Sequence, residues 1–379
     1  MPSTEIDRRR LLGLLAGTAV VTPTLAYGRD TLPGQPSALY LSSRGDGRGG
    51  FFVSGFRTEG GGRFDLPLPG RGHAVAPRPG QAEAVVFARR PGSFALALDL
   101  RSGRLRHSIA AAPGRHFYGH GVFSADGRTL FTSENDYEAG TGVIGIRDAA
   151  DGYRQIGEIP SHGIGPHDLR LLSDGRTLAV ANGGVLTHPD SGRAKLNLPE
   201  MSPSLAYVEA ASGRLLAEHR LPPALHRLSI RHLAVGPRDE VAIALQYEGP
   251  RSDLVPLVAL HAGGGEIGLL TAPDRVLRRM RNYCGSAALD SGGEILGASC
   301  PRGGIVTFWQ LRERRYLGAV ELADGCGIAA AEASGAFLLT SGSGEVVLYR
   351  PAERSLEPIA TGFGGRVQWD NHLTAWIGA

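Results

Sequence analysis

The sequence predicts an all-β fold, a seven-bladed β-propeller with four-stranded blades whose last blade is closed by both termini. Three observations favour this fold. One short pattern, a histidine or cysteine followed by an apolar run and a turn signal, occurs seven times along the 379 residues. Each copy is followed by further strand-like runs. The 55 glycines and 24 prolines suit a chain with many tight turns.

The repeated pattern sets the number of blades. Its first three copies are evenly spaced, and the later intervals vary as one repeat does when its loops gain or lose residues. A period of this size is typical of a propeller or a solenoid. The positions that open the seven copies are His73, His120, His167, His232, Cys284, Cys326 and His372.

Further runs within each repeat favour the propeller over the solenoid. A second apolar run follows the first turn, a third run follows it, and an Asp-Gly or Ser-Gly turn then leads to a more polar fourth run. Four short strands per repeat, repeated about seven times, are typical of a β-propeller. The second runs are 129–133, 177–182, 241–247, 294–300 and 336–341, and the third runs are 143–147, 205–209, 257–261, 305–311 and 346–350.

The last blade is predicted to combine the two ends of one propeller domain, residues 37–379. The final copy, 372–379, provides a single strand. Runs 38–44, 50–57 and 63–68 provide three strands ahead of the first full copy. Such a join would remove two open sheet edges and close the ring.

The N-terminus has the pattern of an export signal. Arg8, Arg9 and Arg10 precede a short apolar stretch, 11–21, and a small-residue cleavage site at 24–26. We therefore expect residues 1–26 to be a twin-arginine-type signal peptide and the mature protein to be periplasmic. The alternative is an N-terminal anchor that is not cleaved. No later stretch reaches the roughly 20 apolar residues of a membrane span, so none is expected after signal removal.

Charge excludes some partners. The 40 basic and 37 acidic residues nearly balance, and no basic run lies outside the leader, so no nucleic-acid partner is expected. Lys195 is the only lysine of the chain, and it lies in the longest insertion of the repeat, 187–203. A compact ammonium in a chain that otherwise uses arginine suggests a role for this loop, although a solvated loop lysine is the plainer interpretation.

The seven opening positions predict a metal site. Innermost strands of a propeller surround its channel, so the residues that open them converge. Imidazole and thiolate donors suit copper or iron better than magnesium or calcium. The candidate ligands are His73, His120, His167, His232, His372, Cys284 and Cys326. Polar residues at the ends of the second strands, Glu134, Asn182, Gln246 and Cys300, are candidates to orient the imidazoles. The 187–203 loop is a candidate lid, with His188, Lys195 and Met201 near the channel mouth.

The three cysteines allow a rival interpretation. In an oxidising compartment a pair of cysteines forms a disulfide where geometry allows. The hairpin turn between Cys284 and Cys300 is centred near Gly292, which would place the two cysteines opposite each other. Such a bridge would leave Cys326 as the only thiol in the ring. Both interpretations remain open at this point.

The chain resembles a known family through several short motifs: 118–124 (YGHGVFS), 165–169 (GPHDL), 181–184 (ANGG), 188–198 (HPDSGRAKLNL) with 201–205 (MSPSL), 300–304 (CPRGG) and 369–372 (WDNH). It is similar over nearly the whole mature chain to the twin-arginine-exported propellers carried as a domain of unknown function. That family is often encoded beside imelysin-type and dihaem-oxidoreductase-type proteins in iron-regulated clusters. The resemblance implies an association with iron handling and with periplasmic iron-uptake proteins as partners.

Three functions follow from these observations. The first is a periplasmic metal-binding propeller, monomeric, that serves iron or copper acquisition or redox handling; any chemistry on a substrate would use an open position on the metal. The second is a non-enzymatic scaffold that docks a periplasmic partner and whose ring residues are structural. The third is a hydrolase such as a lactonase, which would need a carboxylate-rich calcium site that the ring positions do not offer.

Overall fold

A computed structural model describes residues 37–60, 63–192 and 194–378. These residues form seven antiparallel sheets arranged as a ring, which confirms the predicted β-propeller. Strands make up almost all of the regular structure, and one short α-helix lies among the described residues. The proposed signal peptide, residues 1–26, lies outside the described residues.

The strands of the first half of the chain build the start of the last blade and three complete blades. Their bounds are β1 (Leu39–Gly45), β2 (Phe51–Phe56), β3 (Phe64–Leu68), β4 (Gly72–Pro77), β5 (Glu83–Ala88), β6 (Phe94–Asp99), β7 (Leu105–Ala110), β8 (Arg115–Phe123), β9 (Thr129–Asp136), β10 (Thr141–Asp148), β11 (Arg154–Pro160), β12 (Pro166–Leu171), β13 (Thr177–Asn182), β14 (Ser204–Glu209) and β15 (Leu215–His219).

The strands of the second half build three more blades and the closing strands. Their bounds are β16 (Leu228–Val235), β17 (Val241–Tyr247), β18 (Val258–His261), β19 (Gly268–Leu270), β20 (Ser286–Leu289), β21 (Ile295–Cys300), β22 (Ile305–Gln310), β23 (Arg315–Glu321), β24 (Gly325–Ala330), β25 (Phe337–Ser341), β26 (Val346–Arg350), β27 (Ser355–Pro358), β28 (Gln368–Trp369) and β29 (Thr374–Trp376). The helix α1 (Asp274–Met280) lies between β19 and β20.

Six blades are formed by four consecutive strands each, β4–β7, β8–β11, β12–β15, β16–β19, β20–β23 and β24–β27. The seventh blade joins the two ends of the described chain. Both β28 and β29 pair with β1, which in turn pairs with β2 and then β3. The pairing of Leu41 with Thr374 and of Arg44 with Trp369 therefore closes the ring in the way the sequence predicts.

The apolar core lies between neighbouring blades. Phe87 of β5 packs against Phe117 of β8 with ring centroids 6.0 Å apart, and Phe308 of β22 packs against Phe337 of β25 at 5.2 Å. All four side chains are fully buried. Burying such rings gives each blade-to-blade contact a stabilisation of a few kcal/mol, roughly 1.5 to 3 kcal/mol per large apolar side chain. The strands are thereby held rigidly around the axis.

The helix α1 is a feature that the repeat pattern does not predict. Leu277 and Met280 are buried and lie three residues apart, on one face of the helix. The helix ends at Arg281, which adopts a left-handed conformation. Seven residues are too few to establish a helical period in the sequence. No helix within the described ranges is long and apolar enough to cross a membrane.

Candidate metal site at the axis of the propeller

The inner strands carry breaks in their pairing at the residues that were expected to form the ring. The register of an inner strand with its neighbour shifts around His73, His120, His167 and Cys326, and directly before His232. A β-bulge bends its strand and changes the direction of its side chains. The sequence analysis expected each residue to open an inner strand, but His120 and His232 lie inside β8 and β16. Cys284 and His372 lie two residues before β20 and β29.

One glycine allows two of these inner strands to approach closely. Gly119 has a φ of +100°, a conformation that side chains with a Cβ rarely adopt. A Cβ at this position would lie 2.5 Å from Cδ2 of His73. A larger residue would therefore push apart His73 and the neighbouring His120.

Five histidines converge at the axis, and we call them the histidine cluster: His73, His120, His167, His232 and His372. Each is between 2% and 8% exposed. The imidazoles form a closed circuit in blade order, with these distances between ring centroids: 5.0 Å from His73 to His120, 5.1 Å from His120 to His167, 4.6 Å from His167 to His232, 4.7 Å from His232 to His372 and 4.4 Å from His372 to His73.

Two groups of three histidines within this cluster could hold a metal ion. In His73, His120 and His167 the potential ligand atoms all lie within 4.8 Å of one another, and the same holds for His120, His232 and His372. Imidazole nitrogens bound to one tetrahedral ion at about 2.0 Å lie roughly 3 to 4 Å apart. Small rotations of the side chains would bring either group to that spacing. His120 belongs to both groups.

Two buried carboxylates fix the orientation of two imidazoles. Oδ1 of Asp370 lies 3.2 Å from Nδ1 of His73, and Oδ1 of Asp168 lies 3.2 Å from Nδ1 of His120. Because an ionised carboxylate only accepts hydrogen bonds, each Nδ1 carries the proton and donates it. Nε2 of His73 and of His120 then keeps its lone pair. This arrangement, in which a carboxylate holds one nitrogen and the other is free to ligate, is common at metal sites.

Both carboxylates have partners that keep them ionised. Arg71 donates from Nε to Asp370 at 2.6 Å, and the backbone N–H of Leu233 donates to Asp168 at 2.9 Å. Burial opposes the ionisation of Asp168, but the charge of Arg170 and the contact with His120 hold its pKa well below the ordinary value. Asp370 behaves in the same way, because His73 and the nearby arginines offset its burial and lower its pKa.

Four imidazoles of the cluster are held in the neutral form that binds metal. Burial lowers the pKa of His73 to about 3, despite the hydrogen bond that His73 donates to Asp370. Burial also lowers the pKa of His167, His232 and His372 well below the ordinary value of 6.5, and neighbouring cationic or histidine side chains add to this effect. At pH 7 these side chains therefore offer lone pairs and not positive charge.

Some nitrogen atoms of the cluster have no hydrogen-bond partner. Among the described residues, neither Nε2 of His120 nor either ring nitrogen of His232 forms a hydrogen bond. Buried polar atoms usually find a partner, and leaving one unpaired costs about 1 to 3 kcal/mol. The donor set therefore fits a metal ion, which would satisfy the free lone pairs.

The remaining contacts of the cluster are between neutral groups. Nε2 of His372 lies 3.2 Å from Nε2 of His73, and Oγ of Ser286 lies 3.3 Å from Nδ1 of His372. Since His73 carries its proton on Nδ1, its Nε2 accepts here and His372 donates. Ser286 then donates to Nδ1 of His372. Metal binding through Nε2 of His372 would move this proton to Nδ1, where the Ser286 oxygen can accept it.

The thiols have neighbours outside the cluster. Among the described residues, neither group of potential ligand atoms includes a cysteine. Sγ of Cys284 lies 3.7 Å from Sγ of Cys300 without a bond, and Sγ of Cys326 donates to the backbone oxygens of Thr340 and Trp369. The structure thus brings the five histidines together and leaves Cys284 and Cys326 in the walls between strands.

The polar residues at the ends of the second strands also bond elsewhere. Glu134 accepts from Arg147 at 3.0 Å, Asn182 donates to the backbone oxygen of Ser161 at 2.9 Å, and Gln246 donates to that of Cys284 at 3.0 Å. In the described ranges none of them forms a hydrogen bond with an imidazole of the cluster. Two serines instead hold the backbone of the cluster. The hydroxyl of Ser43 donates to the backbone carbonyl of His73, and the hydroxyl of Ser133 donates to that of His120.

The 187–203 loop is held at its base and along its length. Asn135 donates to the carbonyl of Thr187 at 3.1 Å, and Lys195 forms an ion pair with Glu248. Met201 is buried, and the ring centroid of His188 lies 5.3 Å from that of Tyr137. The single lysine therefore connects the loop to the end of β17.

Asp168 and Asp370 are the functional residues that the sequence analysis missed. Asp168 directly follows His167, and Asp370 lies two residues before His372. Each carboxylate serves an imidazole of a neighbouring blade and not the histidine beside it in sequence. The signal was an acidic residue close to a repeated histidine, which repeat spacing alone does not mark as a partner.

Comparisons with known proteins place the fold but not the activity. A family model described as a protein of unknown function (DUF1513) matches residues 66–376. No curated protein matches the chain significantly. A chain of hydrazine synthase from Kuenenia stuttgartiensis is similar in structure, with a TM-score of 0.59 and 15% identity, over 89% of this chain and 99% of that chain. At this identity the likeness shows the propeller fold alone.

Proposed function

Because the chain belongs to the DUF1513 family of proteins of unknown function, we propose its role from the site itself: a periplasmic propeller that binds copper or iron for acquisition or redox handling. The observation that carries this proposal is the cluster of five buried imidazoles, in which His120 and His232 have ring nitrogens without a partner among the described residues. A structural core of apolar side chains would avoid such atoms.

The chemistry of the donors supports a transition metal. Imidazole suits copper, iron and zinc, whereas calcium and magnesium prefer oxygen ligands. Divalent copper binds nitrogen sites most tightly of the first-row metals, which favours copper on affinity. The resemblance to propellers from iron-regulated clusters favours iron. The proposal must therefore be tested with both copper and iron.

We propose that the cluster binds one ion. Asp168 holds Nδ1 of His120, so His120 has only Nε2 for a metal. Both groups of three contain His120. Its one available nitrogen has a single lone pair, so it cannot bind two metal ions at once. The ion would lie close to Nε2 of His120, with the other histidines as further ligands.

Export by the twin-arginine route fits this role. That route carries proteins that are already folded, so a metal can be loaded before export. The signal peptide is predicted from the sequence of residues 1–26, which lie outside the described residues. Periplasmic iron-uptake proteins are the partners we expect, and we propose the 187–203 loop, which Lys195 connects to Glu248, as the segment that such a partner contacts.

Equilibrium metal binding tests the proposal. The full chain, freed of metal with a chelator, is titrated with Cu²⁺ in air and with Fe²⁺ under anaerobic conditions. Replacing His120 and His167 together by alanine should lower the affinity at least about 100-fold, since two ligands are lost. The matched control replaces His219 and His261 together by alanine. His219 lies in β15 and His261 in β18 of the next blade, and their ring centroids are 4.1 Å apart. The control should change the affinity less than about threefold.

Two outcomes would overturn the proposal. The ring variant could retain full affinity, or the wild-type protein could bind neither metal. In either case the histidines are structural, and the scaffold that docks a periplasmic partner becomes the better account.

A further inference from the structure

A second group of polar residues lies beside the histidine cluster, on the face of the ring where the inner strands begin. We call this the upper face. In an antiparallel pair the end of the second strand lies beside the start of the first. Ala88, at the end of β5, pairs with Gly72, at the start of β4, so Arg89 and Arg90 lie on the upper face. Arg231 directly precedes His232 in β16.

Arg90 is the unexplained residue of this group. Its side chain is partly buried, yet no hydrogen bond or ion pair of Arg90 is found within the described ranges. Burial, and after it the positive charge of Arg231, lower the pKa of Arg90 to about 10. A guanidinium removed from water normally has an anionic or carbonyl partner, because burying an unpaired charge is unfavourable.

The carboxylates near Arg89 and Arg90 are already paired. Glu248 is the acidic residue whose charge acts on Arg90, and it forms an ion pair with Lys195. Asp370 accepts from His73 and Arg71, and Arg89 lies 3.4 Å from it. Among the described residues, Arg90 therefore has positive neighbours and no carboxylate that pairs with it alone.

A buried hydroxyl lies in the same region. Tyr118 is 2% exposed, and the charges of Arg90 and Arg231 act on it. Its hydroxyl faces that of Thr187, but among the described residues neither group forms a hydrogen bond of normal geometry. A phenol is protonated at neutral pH, so the Tyr118 hydroxyl can donate a hydrogen bond.

Two glycines lie between the Tyr118 hydroxyl and the Arg231 guanidinium. The backbone N–H of Gly183 donates to the carbonyl of Gly165 at 2.8 Å. A Cβ at Gly165 would lie 3.5 Å from the Tyr118 hydroxyl, and a Cβ at Gly183 would lie 3.4 Å from Nη1 of Arg231. Both positions are tightly surrounded, because a Cβ at Gly165 would also lie 3.0 Å from the carbonyl oxygen of Val185 and a Cβ at Gly183 would lie 2.9 Å from Oγ of Ser229. The glycine pair thus lies between the phenol and a guanidinium, where a side chain would press on one or the other.

We propose that the upper face has a binding site for a small oxyanion, in which Arg90 and Arg231 supply the charge and the Tyr118 hydroxyl donates a hydrogen bond. Guanidinium groups bind carboxylates and phosphates with two parallel hydrogen bonds. A carboxylate of a small organic acid and an inorganic oxyanion share this chemistry. The site goes beyond the proposed metal binding and does not require a metal ion.

Calorimetric titration of the metal-free full chain tests the site. Citrate and phosphate are the two probes, and they distinguish a carboxylate ligand from an inorganic oxyanion. Replacing Arg90 by glutamine should weaken binding of the preferred probe about tenfold or more, because a charged donor is lost. Tyr118→Phe removes only the hydroxyl and should weaken binding by a smaller factor. The matched control is Arg104→Gln, since Arg104 is an exposed arginine in the turn between β6 and β7.

The pattern of affinities decides the outcome. Binding of either probe that is weakened by Arg90→Gln and by Tyr118→Phe, but not by Arg104→Gln, supports the site. Absence of binding by both probes overturns it, and so does equal binding by the Arg90 and Arg104 variants. Because every titration uses metal-free protein, failure of this site and failure of the metal proposal are separate results.

Discussion

Nδ1 of His73 lies 3.2 Å from Oδ1 of Asp370, although the two residues are 297 positions apart in the chain. His73 belongs to the first complete blade, and Asp370 lies between the two closing strands of the last blade. The backbone N–H of Asp370 also donates to the carbonyl of Ser43 in β1 at 2.9 Å. Closure of the ring therefore places the carboxylate that orients one imidazole of the candidate site.

The first prediction concerns that carboxylate. Asp370→Asn should weaken metal binding about 10- to 100-fold while leaving the histidines in place, because the amide no longer fixes the Nδ1 proton of His73. Asp168→Asn should act in the same way through His120. Metal titration with each variant measures the effect. Asp274→Asn, at an exposed residue of α1, is the control and should bind as wild type does. Equal affinity for all three variants would show that the carboxylates do not position the ligands.

The second prediction concerns the pH dependence of stability in the metal-free protein. His73, His167, His232 and His372 have pKa values below 6.5 in the folded state, to about 3 for His73. As pH falls below 6.5, the unfolded chain takes up protons that the folded chain does not. The free energy of unfolding should therefore decrease as pH falls from about 6.5 towards 3, by up to about 1.4 kcal/mol per pH unit for each such histidine.

Urea unfolding at a series of pH values checks this slope. A variant with His167 and His232 replaced by glutamine should lose less stability between pH 7 and pH 5 than the wild-type protein. An identical slope in the two proteins would mean that these histidines are not held neutral in the folded state.

The third prediction concerns the thiols. The three cysteines are between 0% and 2% exposed, and burial raises the pKa of Cys284 and Cys326. Since the thiolate is the reactive form, iodoacetamide at pH 8 should label none of them in the native protein. In guanidinium without a reductant, three labels are expected from the free thiols of the structure. A single label, on Cys326, would instead show a bridge between Cys284 and Cys300. Rapid labelling of native protein would contradict their burial.

The fourth prediction concerns the composite blade. Deleting residues 38–68 removes β1, β2 and β3 and leaves β28 and β29 without a partner strand. The truncated chain should lose its cooperative thermal transition. The deletion removes the faces that pack on the two neighbouring blades, and it removes Ser43, whose carbonyl accepts from the backbone N–H of Asp370. Circular dichroism and size-exclusion chromatography measure this. A truncated protein that remains monomeric and unfolds cooperatively would contradict the closure.

Much of the fold could be predicted from the sequence because it depends on local patterns. Short apolar runs closed by turn signals define strands such as β9 and β13, and their repetition defines the blades. The five histidines could be found for the same reason. The helix α1 is too short to give such a pattern.

The chemistry around the histidines could not be predicted in the same way. Cys326 occupies the repeat position of a histidine, but its short side chain reaches only the backbone of Thr340 and Trp369, whereas an imidazole extends towards the axis. Asp168 and Asp370 bond to imidazoles of neighbouring blades. Such contacts depend on bulges and on the rotation between blades, which a single sequence does not record.

Anomalous diffraction from crystals soaked with copper or iron tests the central claim most directly, since it locates a bound ion without any variant. The account predicts one strong anomalous peak at the axis, about 2.0 to 2.3 Å from Nε2 of His120 and from nitrogens of at least two other histidines of the cluster. A well-loaded crystal with no peak inside the histidine cluster, or with peaks only at His219, His261 or other histidines outside it, would contradict the account.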